Sequence, residues 1–271
     1  VFECVINVSE GRDLATLEMI AGSCAGSLRD RHSDRFHNRS VFTLINEPDR
    51  LVADVKNLVV AAFARLDLRN HEGVHPRFGV VDVVPFVALD PRERRSAVAM
   101  RDSVGGWIAT EFEVPVFLYG PIGSAVRTLP EVRRLAFNTL APDMGPGEPS
   151  PRLGAVAVGE RAVLLAWNLW LRGVSIEHAR GIASRLRSAE VRSLAFRVGD
   201  QVQVSCNLIA PDLVGPSEVY DEVRGQLEGD EEIDRAELVG LIPRSVLRSQ
   251  DPRRWPELGL SEEATIEGHL E

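Results

Sequence analysis

Residues 70–86 read NHEGVHPRFGVVDVVPF, and the architecture turns on where this stretch changes character. Its first half is polar and turn-forming, and its second half is almost wholly apolar. His71 and His75 are four apart, a spacing that would share one helix face, but Gly73 and Pro76 oppose a helix. Pro76 also biases His75 toward extended backbone. The stretch therefore predicts a loop through Arg77 that feeds a strand over 78–89. That strand is apolar on both faces, as expected of one covered on both sides. Imidazole titrates nearest neutrality, and loops held by rigid elements carry a large share of catalytic residues. The same residues also fit a satisfied turn with surface histidines, so both readings stand at this point.

Working outward, residues 2–8 alternate toward a strand, and Asp13 can cap a helix bearing Leu17, Ala21, Cys24 and Leu28. Residues 28–36 are too polar for a buried strand and suit an edge strand or loop. Residues 41–45 are β-branched and aromatic, hence a strand. Asp49 is expected to start a helix with Leu51, Val55, Leu58, Val59 and Phe63 on one face. The order strand, helix, strand, strand, helix, strand is a split β-α-β of the ferredoxin-like kind.

A helix over 94–112 and a strand over 114–119 follow, after which the pattern lapses. Residues 139–154 hold four prolines and three glycines and read as a loop or linker. Residues 155–171 are strand-like with a break at Gly159 and Glu160. Ser175 opens a helix bearing Ile176, Ala179, Ile182 and Leu186. Strands at 191–198 and 202–209 flank the turn Gly199-Asp200. Ser217 is expected to cap a helix with Val219, Val223 and Leu227, and 236–242 is a last strand before a polar, Pro-containing tail. The second half repeats the element order of the first without repeating its sequence. The expected fold is α+β: two ferredoxin-like sandwiches, residues 1–159 and 160–271, with a ligand groove between them.

Composition narrows the function classes. The 271 residues carry a net charge of -9 with 44% hydrophobic content, which suits a packed globular protein and opposes a general nucleic-acid binder. Lys56 is the only lysine, so nearly all basic residues are arginine, the better side chain for gripping carboxylates; genome composition produces the same bias. Cys4, Cys24 and Cys206 are odd in number and far apart, which disfavours a disulfide framework or zinc site and fits a reducing cytoplasm. The apolar opening is short and alternating, so a secretory signal is not expected there, and no apolar run approaches a membrane span.

Several motifs in order then point to a family. FECVINVSEGRD, HNRSVFT, HxGxHPRFGVVDVVPF and VPVFLYG resemble the N-terminal subdomain of glutamate formimidoyltransferases, and GAVAVGER, LLAWNLWL, VQVSCNL and ELVGLIP are similar to the C-terminal one. The resemblance spans residues 2–248. It implies two α/β subdomains, tetrahydrofolate as co-substrate in a groove, and transfer of a formimino group from N-formimino-L-glutamate. With residues ending at 271, the cyclodeaminase domain of bifunctional members is expected to be absent. The expected partners are a small-molecule substrate and folate, with no metal, nucleic acid or membrane, in a homodimer.

His75 falls on the position of the family's catalytic histidine. Attack of the N5 amine on an amidine-like carbon removes one proton and delivers another, work suited to a group near neutrality. Arg39 and Arg77 are the motif-embedded candidates for holding glutamate's carboxylates, and Asn7, in the N-terminal motif, is a further expected binding residue. Asp82, the lone charge in its strand, is expected to partner one of these arginines or His75, or to close a structural hydrogen bond. The resemblance places folate against the segment containing Gly145, Pro146, Gly147, Arg152 and Gly154. That segment departs from the family pattern, reading DMGPGEPSPRLGA, with Glu148 and Arg152 of opposite charge. The usual Pro-Asn-Phe is Ile6-Asn7-Val8, a Gly-rich segment is missing between Ser188 and Val191, and the threonine-proline usual after VSCNL is absent. These departures put the donor in question, so a one-carbon transferase with another donor, or a folate-binding relative without turnover, stays open.

Overall fold

The alternation of β1 (Phe2–Val8) sends Phe2, Cys4, Ile6 and Val8 to one face, where all four are buried. The computed structural model describes residues 1–74 and 76–270, and the chain divides into two units, Val1–Ala162 and Val163–Glu271. In the first unit β1 is followed by α1 (Leu14–Ser23), β2 (Leu28–Asp34), β3 (Arg39–Asn46), α2 (Pro48–Arg65) and β4 (Val81–Ala88). Their strands lie in the order β2-β3-β1-β4, the split β-α-β expected from the sequence. β2 is the half-buried edge strand, and Leu28 belongs to it rather than to the helix face before it. Asp13 caps α1 by accepting from the N–H groups of Ala15 and Thr16. α2 begins before Asp49, because Pro48 takes the first helical position, where its missing N–H costs nothing.

The sheet continues past β4. α3 (Arg94–Phe112) leads into β5 (Val116–Ile122), and then come two elements that the apolar pattern misses, β6 (Ala125–Arg127) and α4 (Leu129–Leu135). β7 (Val156–Glu160) inserts between β4 and β5, parallel to both, giving the order β2-β3-β1-β4-β7-β5-β6. Every residue of β4 and β7 is buried, as interior parallel strands require. Helices α1 to α3 cover one face. On the other, α4 packs Val132 against Val83, Phe117, Tyr119, Ala155 and Ala157. α4 has only that one buried residue, so it lacks an apolar stripe; its local signal is the capping box between Thr128 and Glu131.

The second unit contains β8 (Leu165–Arg172), α5 (Ile176–Leu186), β9 (Val191–Val198), β10 (Gln201–Leu208), α6 (Pro216–Arg224) and β11 (Glu232–Val239). Its strands form an antiparallel sheet ordered β11-β8-β10-β9, again the ferredoxin-like arrangement. Ser175 caps α5, and Gly199 turns the β9–β10 hairpin at φ +64°. Two elements, α6 and β11, have other bounds than expected. α6 is capped at Gly215, whose N–H donates to the Glu218 carboxylate at 3.0 Å, with Pro216 rather than Ser217 opening the helix. β11 ends at Val239, before Gly240 turns the chain at φ +84°. The polar tail also proves structural. After α7 (Arg244–Ser249) it returns Leu258 and Leu260 to the core, and Trp167 Nε1 donates to the Leu258 carbonyl at 2.9 Å. Among the described residues no helix is long and apolar enough to cross a membrane, and all three cysteines are buried and unbridged.

Candidate functional site

The histidine loop is clamped to the turn that precedes β3. Asn38 sits at φ +50°, a conformation asparagine tolerates better than most residues. Its Oδ1 accepts from the Gly11 N–H at 2.9 Å, and its Nδ2 donates to the Glu72 carbonyl at 2.8 Å. One side chain thus ties the EGR, HNRS and HEG motifs together. Val74 N–H donates to the Phe36 carbonyl at 3.1 Å, and Arg77 Nη1 donates to the Gly73 carbonyl at 3.0 Å. A Cβ on Gly73 would lie 2.3 Å from the His37 carbonyl oxygen, so only glycine permits this approach. Downstream, Ser9 Oγ donates to the Gly79 carbonyl at 2.8 Å and holds the other end of the loop. His75 lies outside the described residues, but both of its flanks are fixed.

Asp82 stands on the β4 side of this loop. Asn7 opposes Val83 and Val8 opposes Val81, so Asp82 is the extra residue of a β-bulge, a device that re-aims a side chain. It is fully buried, with Oδ1 accepting from the Phe78 N–H at 2.7 Å. Its Oδ2 accepts from Arg39 Nη1 and from Arg133 Nη2, the latter at 2.6 Å. Arg39 Nε also donates to Asn7 Oδ1 at 3.1 Å. Of the alternatives open for Asp82, the pairing with Arg39 and a structural hydrogen bond are both present, and Asn7 joins the pair through Arg39. Arg133 was not legible beforehand, because it comes from α4. Burial alone would raise the Asp82 carboxyl, but the two guanidiniums and the hydrogen bonds hold it below its ordinary range. Burial pulls Arg39 downward against the attraction of Asp82, and Arg133 adds repulsion.

His71 lines a cavity of about 290 Å³ with Ser9, Arg12, Thr16, Arg65, Asp67 and Asn70. Its ring comes near the Asn38 backbone, yet neither ring nitrogen reaches hydrogen-bond geometry with a partner among the described residues. Burial and the neighbouring Arg77 charge lower its pKa, which favours the neutral ring.

The Gly/Pro-rich segment is anchored at both ends. Gly145, at φ +84°, packs where a Cβ would meet the Val114 carbonyl at 2.7 Å, and Gly154, at φ +73°, bridges Gly79 and Ser150. Between them Pro146, Gly147 and Glu148 are exposed. Arg152 Nη2 donates to the carbonyls of Phe63 and Ala64, at 2.6 and 3.3 Å, and so caps the C-terminal end of α2. The guanidinium of Arg152, placed by the resemblance in the folate-facing segment, thus has partners inside the protein.

The model of the formiminotransferase domain, N-terminal subdomain, matches residues 1–161. The chain is 31% identical over 274 residues to a formimidoyltransferase-cyclodeaminase of Sus scrofa, covering 90% of this chain and 50% of that protein. It is 31% identical over 275 residues to a glutamate formimidoyltransferase of Thermoplasma acidophilum, covering 90% and 89%, and 29% over 272 residues to one of Streptococcus pyogenes, covering 91% and 90%. It spans about half the length of the mammalian relatives. With the family's model covering residues 1–161, its N-terminal motifs drawn together around one clamped loop, and relatives named as transferases aligned along nine-tenths of its length, the chain belongs to the formiminotransferase family.

Proposed function

We propose that the protein transfers a formimino group from N-formimino-L-glutamate to tetrahydrofolate, with His75 as general acid and base. The observation that carries this reading is the clamped histidine loop, in a chain matched nearly end to end by glutamate formimidoyltransferases. In the proposed reaction the N5 amine of tetrahydrofolate attacks the formimino carbon and forms a tetrahedral adduct. His75 takes the proton from N5 and returns one to the glutamate nitrogen as the C–N bond to glutamate breaks. Arg39 and Arg77 are proposed to hold the donor's carboxylates, with Asn7 setting the plane of Arg39. The exposed turn Gly145-Pro146-Gly147 offers the folate-facing surface, since a Cβ on Gly147 would meet no atom within 4 Å. Arg152 and Gly154 keep that segment docked.

The test is a transfer assay with purified protein, formiminoglutamate and tetrahydrofolate. His75→Ala is expected to lower kcat by about 10² to 10⁴, the usual contribution of a positioned acid–base group. Folate affinity should stay within a few-fold. His71→Ala should slow the reaction less, since His71 is proposed to support the loop rather than to move protons. A wild-type protein that leaves formiminoglutamate untouched rejects the reading, and a fully active His75→Ala rejects the role of that residue.

A further inference from the structure

We propose that Arg133, together with Arg39, forms a two-guanidinium seat for one carboxylate of the donor amino acid, with Asp82 as the fixed strut that spaces them. This rests on the formimino-transfer reading above. Both guanidiniums touch the same oxygen, Asp82 Oδ2, so two positive charges are held side by side against one negative charge. Among the described residues Asp82 is the acidic partner of both, and the one hydrogen bond of the Arg133 guanidinium goes to it. The other Asp82 oxygen accepts from the Phe78 N–H at 2.7 Å.

An excess positive charge in a partly dehydrated setting is costly unless an anion completes it. Asp82 is 0% exposed, while Arg39 and Arg133 keep 12% and 26%, so the strut is sealed and the guanidiniums are reachable. A carboxylate matches such a seat twice: it supplies the missing charge, and it accepts two parallel N–H bonds from a guanidinium fork. Ammonium groups are repelled, and an amide in place of the carboxylate sets N–H against N–H. The seat therefore selects a donor that is anionic at this end. Arg133 is a binding and specificity residue that no local motif marks.

Isothermal titration with L-glutamate, the amino acid released by transfer, reads the seat without turnover. The wild type is expected to bind it, Arg133→Gln to weaken binding by about tenfold or more, the scale of one charge-assisted bond. Arg133→Lys, which keeps the charge but loses the fork, should weaken it less and covers the case in which the glutamine variant misfolds. Arg134→Gln, at an exposed neighbouring arginine, should bind as wild type does. Replacing one carboxylate of the ligand by an amide should abolish the difference between wild type and Arg133→Lys. Equal affinity of wild type and both Arg133 variants overturns the proposal and leaves those contacts a lock between β4 and α4. A wild type that turns over formiminoglutamate but binds no glutamate overturns it too. Binding that depends on Arg133 in a protein without transfer activity rejects the transfer reading alone and leaves the seat standing.

Discussion

Asp82 decides the electrostatics of its surroundings. A carboxylate with no exposure is tolerated in β4 only because the bulge turns it toward two guanidiniums and a backbone N–H. Removing its charge leaves Arg39 and Arg133 facing each other without a counterion. Asp82→Asn is therefore expected to cost about 3–5 kcal/mol, the scale seen when one partner of a buried pair is deleted. Urea denaturation measures it, and a loss below about 1 kcal/mol would show that water reaches and screens the cluster. Because the carboxyl is held below its ordinary range, the contribution is present above the unfolded-state value and is lost as the pH falls through the folded one. At the same scale, Asn38 shows how much a motif conceals. Its place between His37 and Arg39 is visible in the chain, but its bonds to Gly11 and Glu72 span 27 and 34 residues.

Among the elements, α2 is tied to the Gly/Pro-rich segment by Arg152, whose guanidinium meets carbonyls that the helix leaves without partners. The cation also opposes the negative end of the helix dipole. Arg152→Ala should cost about 0.3–1 kcal/mol. It should also speed hydrogen exchange of amides near residues 63–66 and of Leu68, whose N–H donates to the Arg152 carbonyl. Exchange rates identical to wild type would mean that Leu68, Val80 and the Gly79–Gly154 bridge hold the segment unaided. α4 makes the complementary point. It is seven residues long with one buried side chain, yet it brings Arg133 to Asp82.

For the whole molecule, the pH dependence of stability follows from a second buried acid, Glu3. It lies on the interior strand β1, 3% exposed, and burial raises its pKa to about 7, partly opposed by Arg161. Its unfolded value is near the ordinary 4.5. Between those values the folded state holds a proton that the unfolded state has released, so stability falls as pH rises through this window. The stabilisation is complete below the unfolded value and gone above about 7. The melting temperature of the wild type should drop between pH 5 and 7.5, and Glu3→Gln should flatten that drop and melt higher at pH 8. A parallel decline in both proteins would assign the effect to other groups.

Much of this protein is determined by local sequence. The alternation of β1, the apolar run of β4, the stripes of α2 and α5, the Asp13 and Ser175 caps and the Gly199 turn express backbone sterics and hydrophobic periodicity within a few residues of each other. The loop around His71 was legible for the same reason, since Gly73 and Pro76 are local breakers. Contacts distant in sequence were decided only by the tertiary structure. They include the insertion of β7 between β4 and β5, the return of the tail to Trp167, and the meeting of Asp82 with Arg133. Periodicity says which face of an element is apolar, not which neighbour covers it. A charged residue such as Arg133 carries no periodic signal at all. Its partner is chosen when packing removes water from Asp82 and leaves that carboxylate in need of a counterion.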